Sequence, residues 1–267
     1  NGLTDGFLTK LNVDSGTKQW TRFLGTDDQD IASKVAVRHI SDSPGDDQIY
    51  VLGETYDLNR EEGFDKSDIY LKCFSSDGVE IWNKYIRFSK DFVDVSPNYS
   101  TSPQNLKAQA LAIGYGSIYF AGSYDTGVFL EKCDELGNTL WRKYIEDVDT
   151  VGQLLIGGNG SLYLVGDTRT SIDGNIHQGG SDIFLTKFDE HGNKFWTKQY
   201  GGVGDEYAKG ITTTGFEIRN SDGTNGETAR YADQKIFIIG VTNNDLYDET
   251  NNGGTDAFLI KIDDVEI

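Results

Sequence analysis

The chain has 267 residues, with 24 Lys and Arg against 43 Asp and Glu and a formal net charge of -19. That balance argues against nucleic acid and anionic membrane surfaces, which need basic patches, and suits solubility, cations or basic partners. With 32 Gly, 3 Pro, 12% aromatic residues and no apolar run long enough for membrane insertion, the composition fits one large all-β domain. Residue 1 is Asn and no signal peptide is visible, so the chain reads as a processed or excised piece of something longer.

In chain order, one phrase recurs. Residues 5–20 read DGFLTKLNVDSGTKQW, 68–82 DIYLKCFSSDGVEIW, 128–141 VFLEKCDELGNTLW and 181–196 SDIFLTKFDEHGNKFW, while 256–263 (DAFLIKID) begin a fifth copy. Phe7, Tyr70, Phe129, Phe184 and Phe258 mark a period of about sixty residues with insertions, the signature of a repeat architecture. Each repeat carries four strand-like runs: 7–12, 19–24, 34–40 and 48–54 in the first, and 69–74, 80–87, 108–113 and 117–122 in the second. The fourth run ends in Gly-x-Thr, as in IYVLGET, LYLVGDT and IFIIGVT, or in Gly-Ser, as in IYFAGS. Many runs are apolar at consecutive positions, so both faces of their sheets should be covered. The connections 168–180 and 242–254 are cousins of one another.

Four short strands per repeat in face-packed sheets predict an all-β propeller of four-stranded antiparallel blades. It would have four sequence repeats plus one extra strand, in a single domain spanning 1–267. The phrases GGSDIFLTKFDEHGNKFWTKQYGG and GGTDAFLIKID, alternating with IYVLGET-like strands, resemble the SBBP family of bacterial β-propeller repeats, found in secreted and surface proteins. That resemblance covers nearly the whole chain and is strongest in the fourth repeat. It implies a secreted or cell-surface propeller and transfers no catalytic residue. The second copy departs from it at Cys73, where others carry Lys10, Lys132, Lys187 and Lys261, and the third lacks the opening Asp.

Trp20, Trp82, Trp141 and Trp196 each lie four residues after Gly16, Gly78, Gly137 and Gly192. A ring at one fixed place per blade is expected to be buried and to wedge against the neighbouring blade. The cations two residues on, Arg22, Lys84, Lys143 and Lys198, share its strand face and can stack on it or pair with a carboxylate. An aromatic sugar platform is the functional alternative. The sialidase Asp-box places its Trp one residue nearer the Gly. The quinoprotein docking motif shares Gly-x-x-x-Trp, but four copies are too few for that ring. Cys73 and Cys133 occupy offsets on opposite strand faces, so a disulfide between them is not expected. His39, His177 and His191 lack metal-ligand spacing and a nucleophile partner.

Acidic loops are the remaining lead. Asp27, Asp28 and Asp30, and Asp245, Asp248 and Asp256, are candidate calcium ligands, as is the Asp/Asn-rich stretch 220–227; none has EF-hand spacing. Insertions at 41–47, 88–105 and 217–234 offer loops for partners. The function expected is a non-catalytic interaction or assembly scaffold engaging a protein or glycan. The alternative is a propeller lyase or hydrolase with a carboxylate-lined central site. If the runs at 34 and 48 are a blade's inner pair, the chain begins with an outer pair and ends with an inner pair plus one strand, seventeen strands in all. Such open ends require self-assembly, a partner or a larger parent protein to cover them.

Overall fold

The repeated phrase folds as a hairpin because alternating β-branched and aromatic residues are interrupted only by a polar turn closing on a left-handed Gly. Gly16, Gly78, Gly137 and Gly192 have φ between 66° and 84°. A computed structural model describes residues 4–41, 45–56, 67–87, 106–124, 127–158, 160–214 and 235–263. Among the described residues all secondary structure is β: seventeen strands in five antiparallel sheets.

Sheet 1 is the hairpin of β1 (Phe7–Leu11) and β2 (Lys18–Phe23). Sheet 2 runs in sequence order through β3 (Gln29–Arg38), β4 (Gln48–Tyr56), β5 (Ser67–Ser75) and β6 (Glu80–Ile86). Sheet 3 repeats this with β7 (Lys107–Gly114), β8 (Ser117–Tyr124), β9 (Gly127–Cys133) and β10 (Thr139–Glu146). Sheet 4 comprises β11 (Thr150–Ile156), β12 (Leu162–Thr168), β13 (Asp182–Phe188) and β14 (Lys194–Tyr200). Sheet 5 has three strands, β15 (Glu206–Thr213), β16 (Lys235–Thr242) and β17 (Asp256–Asp263). The described strands thus run as a pair first, three four-stranded sheets, then three strands.

Register repeats too. The Thr of Gly-x-Thr faces the opening Asp of the next strand, as Thr55 with Asp68, Thr168 with Asp182 and Thr242 with Asp256. The first strand of each of sheets 2 to 5 carries a bulge at one place, after Ala32, Ala108, Val151 and Ala208. β3 begins earlier than the run at 34 suggested, because Gln29–Ala32 also pair with β4.

The chain forms two compact units, residues 1–125 with 129–144, and residues 126–128 with 145–267. In the first, Leu8, Trp20 and Leu24 pack on Ile49, Val51, Tyr70 and Phe74 between sheets 1 and 2. Tyr50, Leu52, Ile69 and Leu71 meet Ala108, Ile118, Phe120 and Phe129 between sheets 2 and 3. In the second unit, Tyr163, Val165, Ile183 and Leu185 of sheet 4 meet Ala208, Ile211, Ile236 and Ile238 of sheet 5. β8, β12 and β13 are buried along their whole length, as strands covered on both faces should be.

Cys73 and Cys133 are both free and buried in the core layer between sheets 2 and 3. Opposite faces of successive sheets are the two faces that meet, so the strand-offset argument brings these thiols into one layer instead of separating them. Burial pushes their pKa values up, to about 11 for Cys73 and about 12 for Cys133, which keeps both thiols protonated.

Candidate functional site

Trp20 and Trp82 form seams between sheets. A Cβ on Gly78 would meet the Trp20 ring at 3.0 Å, and one on Gly137 would meet Trp82 at 2.9 Å. Trp20 Nε1 donates to Ser76 O (3.2 Å) and Trp82 Nε1 to Glu135 O (3.2 Å). Each ring therefore lies on the turn of the following sheet, where only Gly leaves room. Gly16 has nothing within 4 Å of its Cβ position. The paired cation closes the same turn: Arg22 Nε donates to Gly78 O (2.7 Å) and Lys84 Nζ to Gly137 O (3.1 Å). All four Trp are half-buried and none is exposed. They sit on outermost strands, with one flank left to solvent.

Acids staple neighbouring sheets. Glu54 Oε1 accepts the bulged Ala108 N–H (2.8 Å), and Asp167 Oδ1 accepts that of Ala208 (2.8 Å). The bulge turns an N–H out of its own ladder, and the acid after the Gly of the fourth run satisfies it. The last copy, Gly240-Val241-Thr242, has Val at that position. Burial raises the pKa of Asp167, with Thr150 and the Ala208 N–H acting in the other direction. Fully buried Glu131 instead lies between Arg142 and Lys84, with Lys84 Nζ at 2.7 Å. Burial pushes its pKa up, but the two cations and their hydrogen bonds outweigh this and hold it below the usual carboxylate range. These staples were missed in the sequence; the acid in Gly53-Glu54-Thr55 and Gly166-Asp167-Thr168 was the available signal.

The calcium candidates are not gathered. Asp30 is buried and accepts Thr26 N (2.6 Å) and Oγ1 (2.9 Å), while its own N–H donates to Thr4 O (2.7 Å). Glu206 repeats this role in sheet 5, accepting Gly202 N (2.8 Å) and donating its N–H to Ser181 O (2.6 Å). Asp245 accepts Asn251 N and Asp256 accepts Asn252 N. Asp27 and Asp248 are exposed and Asp28 is partly so. Among the described residues no three His, Cys, Asp or Glu side chains are grouped to hold a metal. The 88–105 and 217–234 insertions and the acidic stretch 220–227 lie outside the described residues. His177 Nδ1 lies 3.2 Å from buried Asp182, and His39 Nδ1 2.6 Å from Asp47.

What the second unit does assemble is a groove. The connections 168–180 and 242–254 have equal length and one hydrogen-bond pattern. Thr168 Oγ1 bonds Thr170 O and N, as Thr242 Oγ1 bonds Asn244 O and N. Gln178 N donates to Asp182 as Asn252 N does to Asp256, and Asp173 and Tyr247 both have positive φ. Buried Ile172 corresponds to buried Leu246. In sheet 4 this loop clasps β14. Gln199 accepts Ile172 N (3.2 Å) and donates to Thr170 O (3.1 Å) and Asp182 Oδ2 (2.8 Å), and Asn175 Nδ2 donates to Thr197 O (3.1 Å). In sheet 5 no described strand follows β17. A cavity of about 530 Å³ opens there, between the loop, including Leu246, Tyr247 and Glu249, and the β17 residues Asp256 to Ile260.

No protein-family model matches the chain, and no curated protein matches it. Among solved structures, one similar fold is a protein of unknown function from Bacteroides caccae. It is 11% identical with a TM-score of 0.41, covering 97% of this chain and 73% of that one. Another is the Dos1 propeller, 8% identical with a TM-score of 0.41, covering 86% of this chain and 58% of that one.

Proposed function

We propose that the chain is a non-catalytic β-propeller scaffold of the SBBP type, working at the cell surface or outside the cell and presenting loops to a protein or glycan partner. The observation that carries this reading is the repetition of the polar devices. Trp on Gly and cation on turn carbonyl each occur at two successive seams, and acid on bulge occurs once in each unit, each with a structural partner. A catalytic centre gathers unlike groups in one concavity. The four-strand meanders, stacked face to face within each unit, are the building plan of propeller blades. Self-assembly or a larger parent protein would cover the incomplete first and last sheets, and calcium, if bound, would sit in the Asp/Asn-rich connections.

The test incubates the chain with a panel of bacterial polysaccharides and with proteins of basic pI, reading saturable binding and, separately, time-dependent product. Reversible binding without product is expected. Product whose formation disappears in Glu249→Gln or Asp256→Asn, at the acids lining the groove, would replace this reading with the lyase or hydrolase one.

A further inference from the structure

We propose that Asp182 and Glu206 form a seat for a hard divalent cation of the calcium type between sheets 4 and 5. The site goes beyond the scaffold reading and does not depend on which partner the loops engage. Both side chains are 0% exposed. They flank one peptide: Gly202 N donates to Glu206 Oε2 (2.8 Å), and a Cβ on Gly201 would stand 2.0 Å from Asp182 Oδ1. The Glu206 N–H donates to Ser181 O (2.6 Å), which holds the starts of β13 and β15 together. Asp182 Oδ2 accepts Gln178 N (2.9 Å) and Gln199 Nε2 (2.8 Å) and faces His177 Nδ1 (3.2 Å). Asp182 Oδ1, turned inward over Gly201, is buried and accepts no hydrogen bond. Among the described residues no Lys or Arg pairs with either acid. Buried carboxylates without a countercharge are costly, and a chain of net charge -19 draws cations to them.

The repeat itself shows what a single acid needs at this place. Asp68 in β5 matches Asp182 in β13, each opposite the Thr of the strand before. The residue that follows the Trp strand is Arg87 in sheet 2 and Gly201 in sheet 4. Two residues before the bulged Ala, sheet 3 has buried Leu106 where sheet 5 has Glu206. With one acid the protein brings its own cation, Arg87 Nε donating to Asp68 Oδ2 (2.7 Å). With two acids a glycine stands in place of that arginine. Tyr247 registers the resulting field: burial pushes its pKa up, and the charges of Glu206 and Asp182 add to the rise. Two carboxylates balance one divalent ion, and calcium completes a shell of about 6–8 oxygens with carbonyls and water. The Asp245 carbonyl oxygen is close by, 2.9 Å from where a Cβ on Gly202 would stand.

The probe is the metal alone. The intact chain, stripped with a chelator at neutral pH, is titrated with calcium chloride by calorimetry, and its thermal midpoint is read with and without calcium. Saturable binding at about 0.1–1 mM is expected, the range of extracellular modules, together with a rise in the midpoint. Asp182→Asn and Glu206→Gln should each weaken binding by about tenfold or more, whereas Asp248→Asn, at an exposed loop acid, should leave it unchanged. In the parent chain, calcium should slow amide exchange most over residues 201–206, a reading that needs no variant. No heat and no midpoint change, the result expected of two acids that share a proton instead, overturns the seat. Undiminished binding in both variants overturns it, and so does protection confined to the 242–254 connection.

Discussion

β13 and β17 are near copies, DIFLTKF against DAFLIKID, yet one is buried at every residue and the other is open at alternate residues. Leu185 is 0% exposed, and Leu259, at the same place in the phrase, is 63% exposed. The difference lies in the neighbours. β13 has a Trp strand on its edge and sheet 5 on its face; β17 has β16 and the 242–254 loop. A repeat of this kind cannot bury itself, so the same sequence is core or surface according to what stands next to it.

The sharpest way to break the comparison is to truncate both leucines. Leu185→Ala should cost about 2–5 kcal/mol, through lost burial plus a residual cavity. Leu259→Ala should stay within about 0.5 kcal/mol. Urea unfolding of the two variants checks this, and equal losses would mean that β17 is covered in solution. Trp196→Ala, on a half-buried ring with Lys198 stacked 4.8 Å from its centroid, should cost about 1.5–2.5 kcal/mol, below the value for a core Trp. The turn glycines sharpen the same contrast. Gly137→Ala meets both a left-handed backbone and the Trp82 ring, whereas Gly16→Ala meets the backbone penalty alone, about 1–2 kcal/mol. The thermal midpoint should therefore fall further for Gly137→Ala; an equal fall would show that the ring yields at no cost.

Much of the fold was legible because one phrase and one Gly-x-Thr ending, each repeated, fix strand number and order. The constant spacing from Gly16 to Trp20 and its copies located the seams. It could not say how deep the rings lie, because depth depends on the outer strand's free flank. Asp30 read as a calcium ligand because DDQD looks like a loop, yet it opens β3 and caps the turn at Thr26. The staples of Glu54 and Asp167 were hidden because a bulge leaves no mark in composition. The groove was foreshadowed by the cousin loops, but that only one of them is filled depends on which strands are present.

Two acids respond to pH with opposite signs. The pKa of Glu131 is held down, so its stabilisation is present above the unfolded value, about 4.3, and is lost as the pH falls. That of Asp167 is raised, so its contribution is full below about 3.9 and is lost as the pH rises through the folded value. Glu131→Gln should lower stability near neutral pH and flatten the acid limb. Asp167→Asn should be no less stable than the parent at pH 7, with any advantage shrinking toward pH 3. Denaturant titrations at several pH values read both, and parallel profiles would contradict the assignment.

Amide hydrogen exchange across β13 and β17 tests the central claim, that one edge is filled and its copy is open. The account predicts slow exchange at every amide of β13 and alternating slow and fast exchange along β17, the fast set being those that point away from β16. Uniformly slow exchange from Asp256 to Asp263 in the isolated chain at low concentration would contradict it.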